Sequence, residues 1–387
     1  MTGGEEDTAS NSRPVSRVYH NRSVWEAALG RIRWLFDEFG TVVVSFSGGK
    51  DSTVVLNLAL QVAEERDRLP LKVMFLDQEA EWECVIRYMR EVMTDPRVEP
   101  LWVQCPVKIF NATSPDDPWL QCWDPAARDR WMRPQEPGAL TENRYGTDRF
   151  AEFFHAFPRV EWPDSRVCFL AGVRADESPR RSMAMTSVVT YKGATWGTKL
   201  NAGTQHITMY PIYDWAYTDV WKAIHSEGWA YCRLYDLMYQ HGVPFNDMRV
   251  SNVHHETAVH SLFYLHEVES ETWSRLTMRL GGINTAGQLR ESAFEVKELP
   301  AMFKDWAEYR DYLLENLIAD PDHRAKYARA FARDDETYAD FEGIDGLLRI
   351  HVATVLANDT ELTKLRTGHS NRPLFMFRRR KAGRPVY

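Results

Sequence analysis

Residues 42–52 read VVVSFSGGKDS, a β-branched run that breaks at Ser47-Gly48-Gly49-Lys50-Asp51-Ser52 into the helical pattern STVVLNLALQVAEER. The run suits a buried strand, and the apolar spacing after Ser52 suits an amphipathic helix. Two adjacent glycines let the backbone turn tightly and approach a ligand without Cβ atoms in the way. A helix start leaves N–H donors unpaired at its positive dipole end, so strand, glycine turn and helix together form an anion cradle. Lys50 adds a mobile charge, Ser47 and Ser52 add hydroxyl donors beside Ser45 at the strand end, and Asp51 can cap the helix or orient a hydrated magnesium ion. The expected guest is a nucleotide polyphosphate.

The spacing excludes a Walker A loop, which places four residues between its glycines and follows its lysine with Ser or Thr. Here Gly48 and Gly49 are adjacent and Lys50 is followed by Asp51. Strand, SGGKDS and amphipathic helix resemble instead the PP-loop of the ATP pyrophosphatase superfamily. That resemblance implies ATP as ligand, with magnesium, and cleavage between its α and β phosphates.

The chain has 387 residues, 44% of them hydrophobic and 26% charged, enough for two or three domains of a globular protein. A net charge of −8 gives no global attraction to nucleic acid or anionic lipid, so such a contact needs a local patch. No stretch reaches the roughly 20 apolar residues of a membrane span, and the first residues lack the apolar segment of a secretory signal. A cytoplasmic location without membrane contact is expected. The five cysteines, Cys84, Cys105, Cys122, Cys168 and Cys232, show neither disulfide-framework nor zinc-ribbon nor iron–sulfur spacing.

Residues 1–20 read as a polar arm. Helical periodicity over 25–39, the strand 41–46, the helix 51–66, the strand 71–76 ending in Asp77-Gln78-Glu79 and the helix 82–93 form a strand–helix–strand unit, hence a parallel sheet. Further strands are expected at 101–105, 167–173 and 205–212. The expected fold is α/β, a doubly wound, mainly parallel, Rossmann-like sheet over 21–245, with a ligand at the carboxyl ends of its strands. Residues 108–164, with Trp119, Trp123, Trp131, Trp162, Arg128, Arg130 and Arg133, form a long insertion that is a lid, a binding loop or a packed inserted subdomain. A mainly helical domain is expected over 246–370, with its clearest periodicity at 253–277 and 301–317. Residues 371–387 form a basic tail whose arginines and lysine between 372 and 384 offer a contact for nucleic acid.

The strand at 167–173 runs into Gly172-Val173-Arg174-Ala175-Asp176-Glu177-Ser178-Pro179-Arg180-Arg181, placing three arginines and two carboxylates at the sheet edge. Arginine suits bidentate phosphate or sulfate contact. SFSGGKDS, GVRADES and the later Tyr210-Pro211-Ile212-Tyr213-Asp214-Trp215 with Thr218-Asp219-Val220-Trp221 resemble, in that order, the phosphoadenosine phosphosulfate (PAPS) reductase family. The resemblance implies an adenine nucleotide alpha hydrolase-like fold. It also implies nucleotide contacts from Ser45, Ser47, Gly48, Gly49, Lys50, Asp51, Ser52, Asp77, Gln78, Glu79, Gly172, Arg174, Arg180 and Arg181. Lys50, Asp51, Arg174 and Glu177 take catalytic roles in that reading, and Asp51 and Asp77 would hold magnesium. Residues 245–249, 254–256 and 279–284 resemble the uncharacterised C-terminal domain of IbrA-type bacterial proteins. His254, His255 and His260 do not reproduce the H-E-x-x-H zinc spacing.

One departure is decisive for the expected chemistry. A PAPS reductase attacks the sulfonate with a cysteine in a C-terminal Glu-Cys-Gly-Leu-His motif, and no cysteine follows Cys232. The intact SGGKDS loop resembles that of ATP-cleaving members. The expected activity is therefore cleavage of ATP to pyrophosphate and AMP or an adenylated product, with no iron–sulfur cluster. The alternatives are a sulfonucleotide reductase or sulfur-transfer enzyme using Cys168 or Cys232, and a nucleotide-gated regulatory protein acting with a protein or DNA partner.

Overall fold

The computed structural model describes residues 21–383 except 112, 115–118, 178–180, 182–184, 186–188, 201–205, 246–247, 251–252, 254–264, 266 and 284–297. The expected polar arm, Arg180, the histidines at 254, 255 and 260, and the end of the basic tail lie outside the described residues.

Helix α1 (Val24–Glu38) opens with a capping box in which Ser23 and Glu26 satisfy each other's backbone donors. It leads into strand β1 (Thr41–Ser45), helix α2 (Lys50–Glu65), strand β2 (Leu71–Leu76), helix α3 (Glu83–Met93) and strand β3 (Val98–Val103). Strand β6 (Val167–Ala171) and strand β8 (His206–Met209) continue the sheet, and β7 (Gly197–Lys199) runs antiparallel along its edge, giving the order β3-β2-β1-β6-β8-β7. Val42, Val43 and Val44 point alternately to the two faces and all are buried, so both faces of the central strand are covered. Helix α2 packs across β1, β2 and β6 and touches α1. Strand β3 begins three residues before the expected position because Pro100 sits inside it. A missing N–H is tolerated there, since β3 is an edge strand.

The chain leaves β1 toward β2 and later returns to β6 on the other side of β1, with Ser45 opposite Ala171 in register. Between these two carboxyl ends lies the switch point at which open α/β sheets bind ligands. After β8, helix α5 (Tyr217–Glu227) packs on α2, helix α6 (Leu234–Gln240) follows, and Trp25 stacks on Trp229 at 5.7 Å.

The insertion is packed structure. It holds the antiparallel hairpin β4 (Val107–Phe110) and β5 (Trp119–Cys122), a short helical turn at Pro125–Arg130 and helix α4 (Phe150–Glu161). Arg133 fastens it to the end of β2: its guanidinium reaches both oxygens of the fully buried Asp77 at 2.5 and 2.6 Å and donates to the Glu79 carbonyl at 2.6 Å. Trp102 and Gln104 each donate to the same carboxylate at 2.9 Å. Glu79, also fully buried and in the left-handed region at φ +62°, accepts from Trp123 N–H at 2.7 Å and pairs with Arg279 at 2.5 Å. Arg279 ends helix α7 (Ser270–Arg279), so this part of the C-terminal half is locked onto the sheet as well.

The main core consequently runs past residue 245 through Met248, Leu265, Leu276, Leu280 and Ile283. A separate core joins α8 (Trp306–Asn316), α9 (Pro321–Thr337), α10 (Ile344–Leu356), α11 (Thr363–His369) and α12 (Arg372–Lys381). The first core thus extends to Ile283, because Leu276, Leu280 and Arg279 bury against the α/β part. The segment read as a basic tail is largely helix α12, anchored by buried Leu374 and by Lys381, which donates to the Glu336 and Thr337 carbonyls at the end of α9. Among the described residues, no helix is long and apolar enough to cross a membrane.

Removing Arg133 strands the Asp77 charge in the interior. Arg133→Ala is expected to lower unfolding free energy by about 3–5 kcal/mol. Asp77→Asn combined with it should recover part of that loss in denaturant titration; a single variant as stable as the parent would show that the pair does not hold the insertion.

Candidate nucleotide site

The loop after β1 takes its shape from two glycines. Gly48 adopts φ +74°, and Gly49 caps α2 from an extended conformation. Ser52 closes the loop internally: its hydroxyl donates to Gly49 O at 2.9 Å and lies 3.2 Å from Ser47 Oγ. A hydroxyl has one hydrogen, so with Ser52 donating to Gly49 O the contact between the two hydroxyls is donated by Ser47 Oγ; Ser52 is not a spare phosphate donor as expected from sequence, and exposed Ser47 can serve a phosphate only by turning away from Ser52. Ser45 is half-buried at the strand end. Lys50 N–H donates to the buried Tyr235 hydroxyl of α6 at 2.9 Å, which leaves the first-turn N–H groups of Asp51 and Ser52 as the helix-end donors.

The side chains form an alternating chain of charge. Lys50 Nζ lies 2.9 Å from Asp51 Oδ2, and the other Asp51 oxygen accepts from Arg174 Nε. Arg174 Nε is 3.9 Å from Glu177 Oε1, and Glu177 Oε2 pairs with Arg181. Three cations enclosing two carboxylates leave an excess positive charge at the switch point. Burial and the neighbouring Arg249 both lower the affinity of Arg181 for its proton, so two guanidiniums are crowded together beside the chain. An incoming polyanion relieves such crowding. Arg174 NH1 also reaches Trp215 O at 3.4 Å, and the PIYDW segment is clamped by Arg31, which pairs with Asp214 at 2.6 Å and lies over the Tyr213 ring.

Gly172 makes this arrangement possible. A Cβ there would lie 2.5 Å from the Asp51 carbonyl carbon and the Ser52 nitrogen, so the start of α2 and the end of β6 can touch only at a glycine.

The structure corrects the roles expected of the acidic residues. Asp77 and Glu79 do not face the loop; they are sealed inside the ion-pair network with Arg133 and Arg279. Gln78, between them, is half-buried with its carbonyl accepting from Cys122. Neither carboxylate expected to hold magnesium fits that task. Asp77 is saturated by four donor groups, the Glu79 N–H, Trp102, Gln104 and Arg133, and both Asp51 oxygens are engaged by cations. Among the described residues, no group of three or more His, Cys, Asp or Glu is arranged to hold a metal ion. Tyr235, Arg249 and Trp215 belong to the site without having been assigned to it. Their contributions depend on long-range packing that periodicity does not carry.

All five cysteines are buried. Burial raises the thiols of Cys105, Cys122 and Cys168, and Cys84 is raised chiefly by its hydrogen bond to Cys232.

Residues 41–122 and 135–241 match the phosphoadenosine phosphosulfate reductase domain, and residues 242–373 match a domain of unknown function, DUF3440. The uncharacterized protein YbdN of Escherichia coli strain K12 is 32% identical over 324 residues, 79% of this chain and 78% of that protein. The chain belongs to the PAPS reductase domain family. A shorter match links this family member to sulfate adenylyltransferase subunit 2 of Mycolicibacterium vanbaalenii, 36% identical over 98 residues, covering 25% of this chain and 31% of that protein. Among solved structures, Candida glabrata FMN adenylyltransferase aligns at 16% identity and TM-score 0.35, over 56% of this chain and 62% of that one. PAPS reductase from Candida auris aligns at 13% identity and TM-score 0.29, over 55% and 84%.

Two outcomes test the site's construction. Gly172→Ala should abolish nucleotide binding while leaving a folded protein by circular dichroism, because α2 must retreat from β6; unchanged affinity would sink the close-contact argument. Glu81 beside Asp77 is pushed up to about 8, mainly by burial and then by Asp77. Its folded pKa exceeds the unfolded one, so stability is highest below about pH 4.5 for this group and declines as pH rises toward 8. Glu81→Gln should flatten that decline and stabilise the protein at pH 8 by roughly 2–4 kcal/mol.

Proposed function

We propose that this family member binds ATP on the Ser47–Ser52 loop and cleaves it between the α and β phosphates, transferring AMP to an acceptor. The observation that carries the reading is the unbroken SGGKDS loop at the switch point, coupled through Asp51 to Arg174. In the reaction an acceptor oxygen attacks the α-phosphorus, and the α–β bridging oxygen leaves with the bonding electrons as pyrophosphate. The Asp51 and Ser52 N–H groups, Ser47 Oγ and Lys50 Nζ face the leaving pyrophosphate, where negative charge grows. Arg174 is a positioning residue, since it is buried against Asp51 and holds the first turn of α2. Arg181 and Arg249 supply cations for the α-phosphate or an anionic acceptor, and Glu177 orients Arg174 and Arg181.

The partial match to a sulfate adenylyltransferase subunit supports adenylyl transfer. Sulfonucleotide reduction finds no support in the cysteines. Cys168 and Cys232 are both completely buried, and a thiolate nucleophile must reach its substrate.

The test is incubation with α-labelled ATP and magnesium across a panel of oxyanion acceptors. AMP and pyrophosphate are the expected products, and Lys50→Ala should cut the rate about 100-fold or more. ADP as the sole product would sink the proposal, and ATP binding without turnover would favour a nucleotide-gated regulator. Activity surviving replacement of all five cysteines would dispose of the reductase alternative.

A further inference from the structure

The helical C-terminal unit contains a polar cluster that the nucleotide site does not use. Asp334 on α9 accepts from His351 Nε2 on α10 at 3.0 Å and from His369 Nε2 on α11 at 2.8 Å. His351 is completely buried, stacked on Phe331 at 4.2 Å, and its Nδ1 lies 3.4 Å from Arg310 NH1. A guanidinium can only donate, so Nδ1 carries the lone pair and Nε2–H points at Asp334. Burial lowers the His351 pKa and keeps the ring neutral. Burial alone would raise the Asp334 carboxyl, but the two imidazole hydrogen bonds outweigh it and hold it ionised.

An ionised Asp334 fixes the orientation of His369 as well. Nε2–H of His369 faces the carboxylate, and Nδ1 remains for a ligand. His369 is only partly buried and lines a cavity of about 350 Å³ together with Ala330, Arg333, Leu362, Leu365, Arg366 and the Asp334 carboxylate, whose Oδ2 is taken by the two imidazoles and whose charge the two arginines outnumber. That is within the range of small-ligand sites. Arg333 and Arg366 are exposed, and no carboxylate pairs with either among the described residues. The wall between α10 and α11 is strained: Asn358 and Leu362 both sit in the left-handed region, at φ +48° and +56°. For leucine that conformation costs of order 1 kcal/mol or more, and such strain concentrates at binding sites.

We propose that this cavity is a second ligand site, for a phosphate monoester, in which His369 Nδ1, Arg333 and Arg366 contact the phosphate oxygens. Ala330, Leu362 and Leu365 face the organic group. Two forked cations beside an oriented imidazole match a tetrahedral oxyanion with several acceptors better than a single carboxylate. The site is separate from the ATP reading and does not depend on it.

The experiment uses the full chain with ¹³C-labelled histidine, following ring resonances by NMR during titration with inorganic phosphate and with phenyl phosphate, at ionic strength held constant with chloride. The His369 signal is identified by its loss in His369→Gln. It should shift saturably, at lower concentration for phenyl phosphate. Arg333→Gln with Arg366→Gln should weaken binding about ten-fold or more, as expected for lost charge-assisted contacts, with the thermal midpoint unchanged because both residues are exposed. Lys50→Ala should leave the titration as it is. A non-saturating drift, or an unchanged midpoint of titration in the double variant, would mean that the cluster only ties three helices together. Loss of the shift in Lys50→Ala would assign it to the nucleotide loop, and equal affinity for the two probes would overturn the monoester assignment.

Discussion

Two carboxylates buried at the end of β2 dictate how the polypeptide closes on itself. Asp77 and Glu79 have no exposed surface, and a charge in that position is tolerable only if cations and N–H donors reach it. The cations come from far away in sequence: Arg133 from the insertion and Arg279 from the end of α7. The insertion and the start of the C-terminal half are therefore structural parts of the α/β body. Their removal would leave uncompensated charge at the sheet's carboxyl edge.

The same edge, one strand over, solves a different problem. At the β1–β6 switch point the charges are only partly buried and alternate in sign from Lys50 to Arg181. A cation chain held in place by its own carboxylates is pre-oriented before a polyanion arrives, so less reorganisation accompanies binding. Asp51 is central here. Its pairing with Arg174 ties helix α2 to β6 across the contact that Gly172 permits. Tyr235 adds a further constraint by taking the Lys50 N–H, which ties the loop to helix α6.

Legibility in the sequence followed the range of the forces involved. Strand β2 spans the residues periodicity assigned, and α1, β1 and α2 differ by one residue at their ends, because burial of a strand or helix face imprints a local repeat. Strand β3 was shifted because Pro100 reads as a breaker unless the strand is known to be an edge. The arginine-rich terminus read as a tail, since α12 buries little besides Leu374 and its anchoring by Lys381 uses carbonyls of another helix. Asp77 resembled a metal ligand in sequence because a carboxylate at a strand end looks the same whether it faces solvent or a buried arginine 56 residues later.

The sequence alone determined the cradle: a β-branched strand, adjacent glycines and a helix start specify their geometry through φ/ψ freedom and unpaired N–H groups within about ten residues. It also determined that no cysteine follows Cys232. Tertiary structure decided which charged groups are free to act. Arg133 and Arg279 are consumed by buried carboxylates, Arg174 is spoken for by Asp51, and Asp334 brings His351 and His369 together from separate helices. The physical reason is that a charge's function depends on its partners and its exposure, and both are set by contacts between residues distant in the chain.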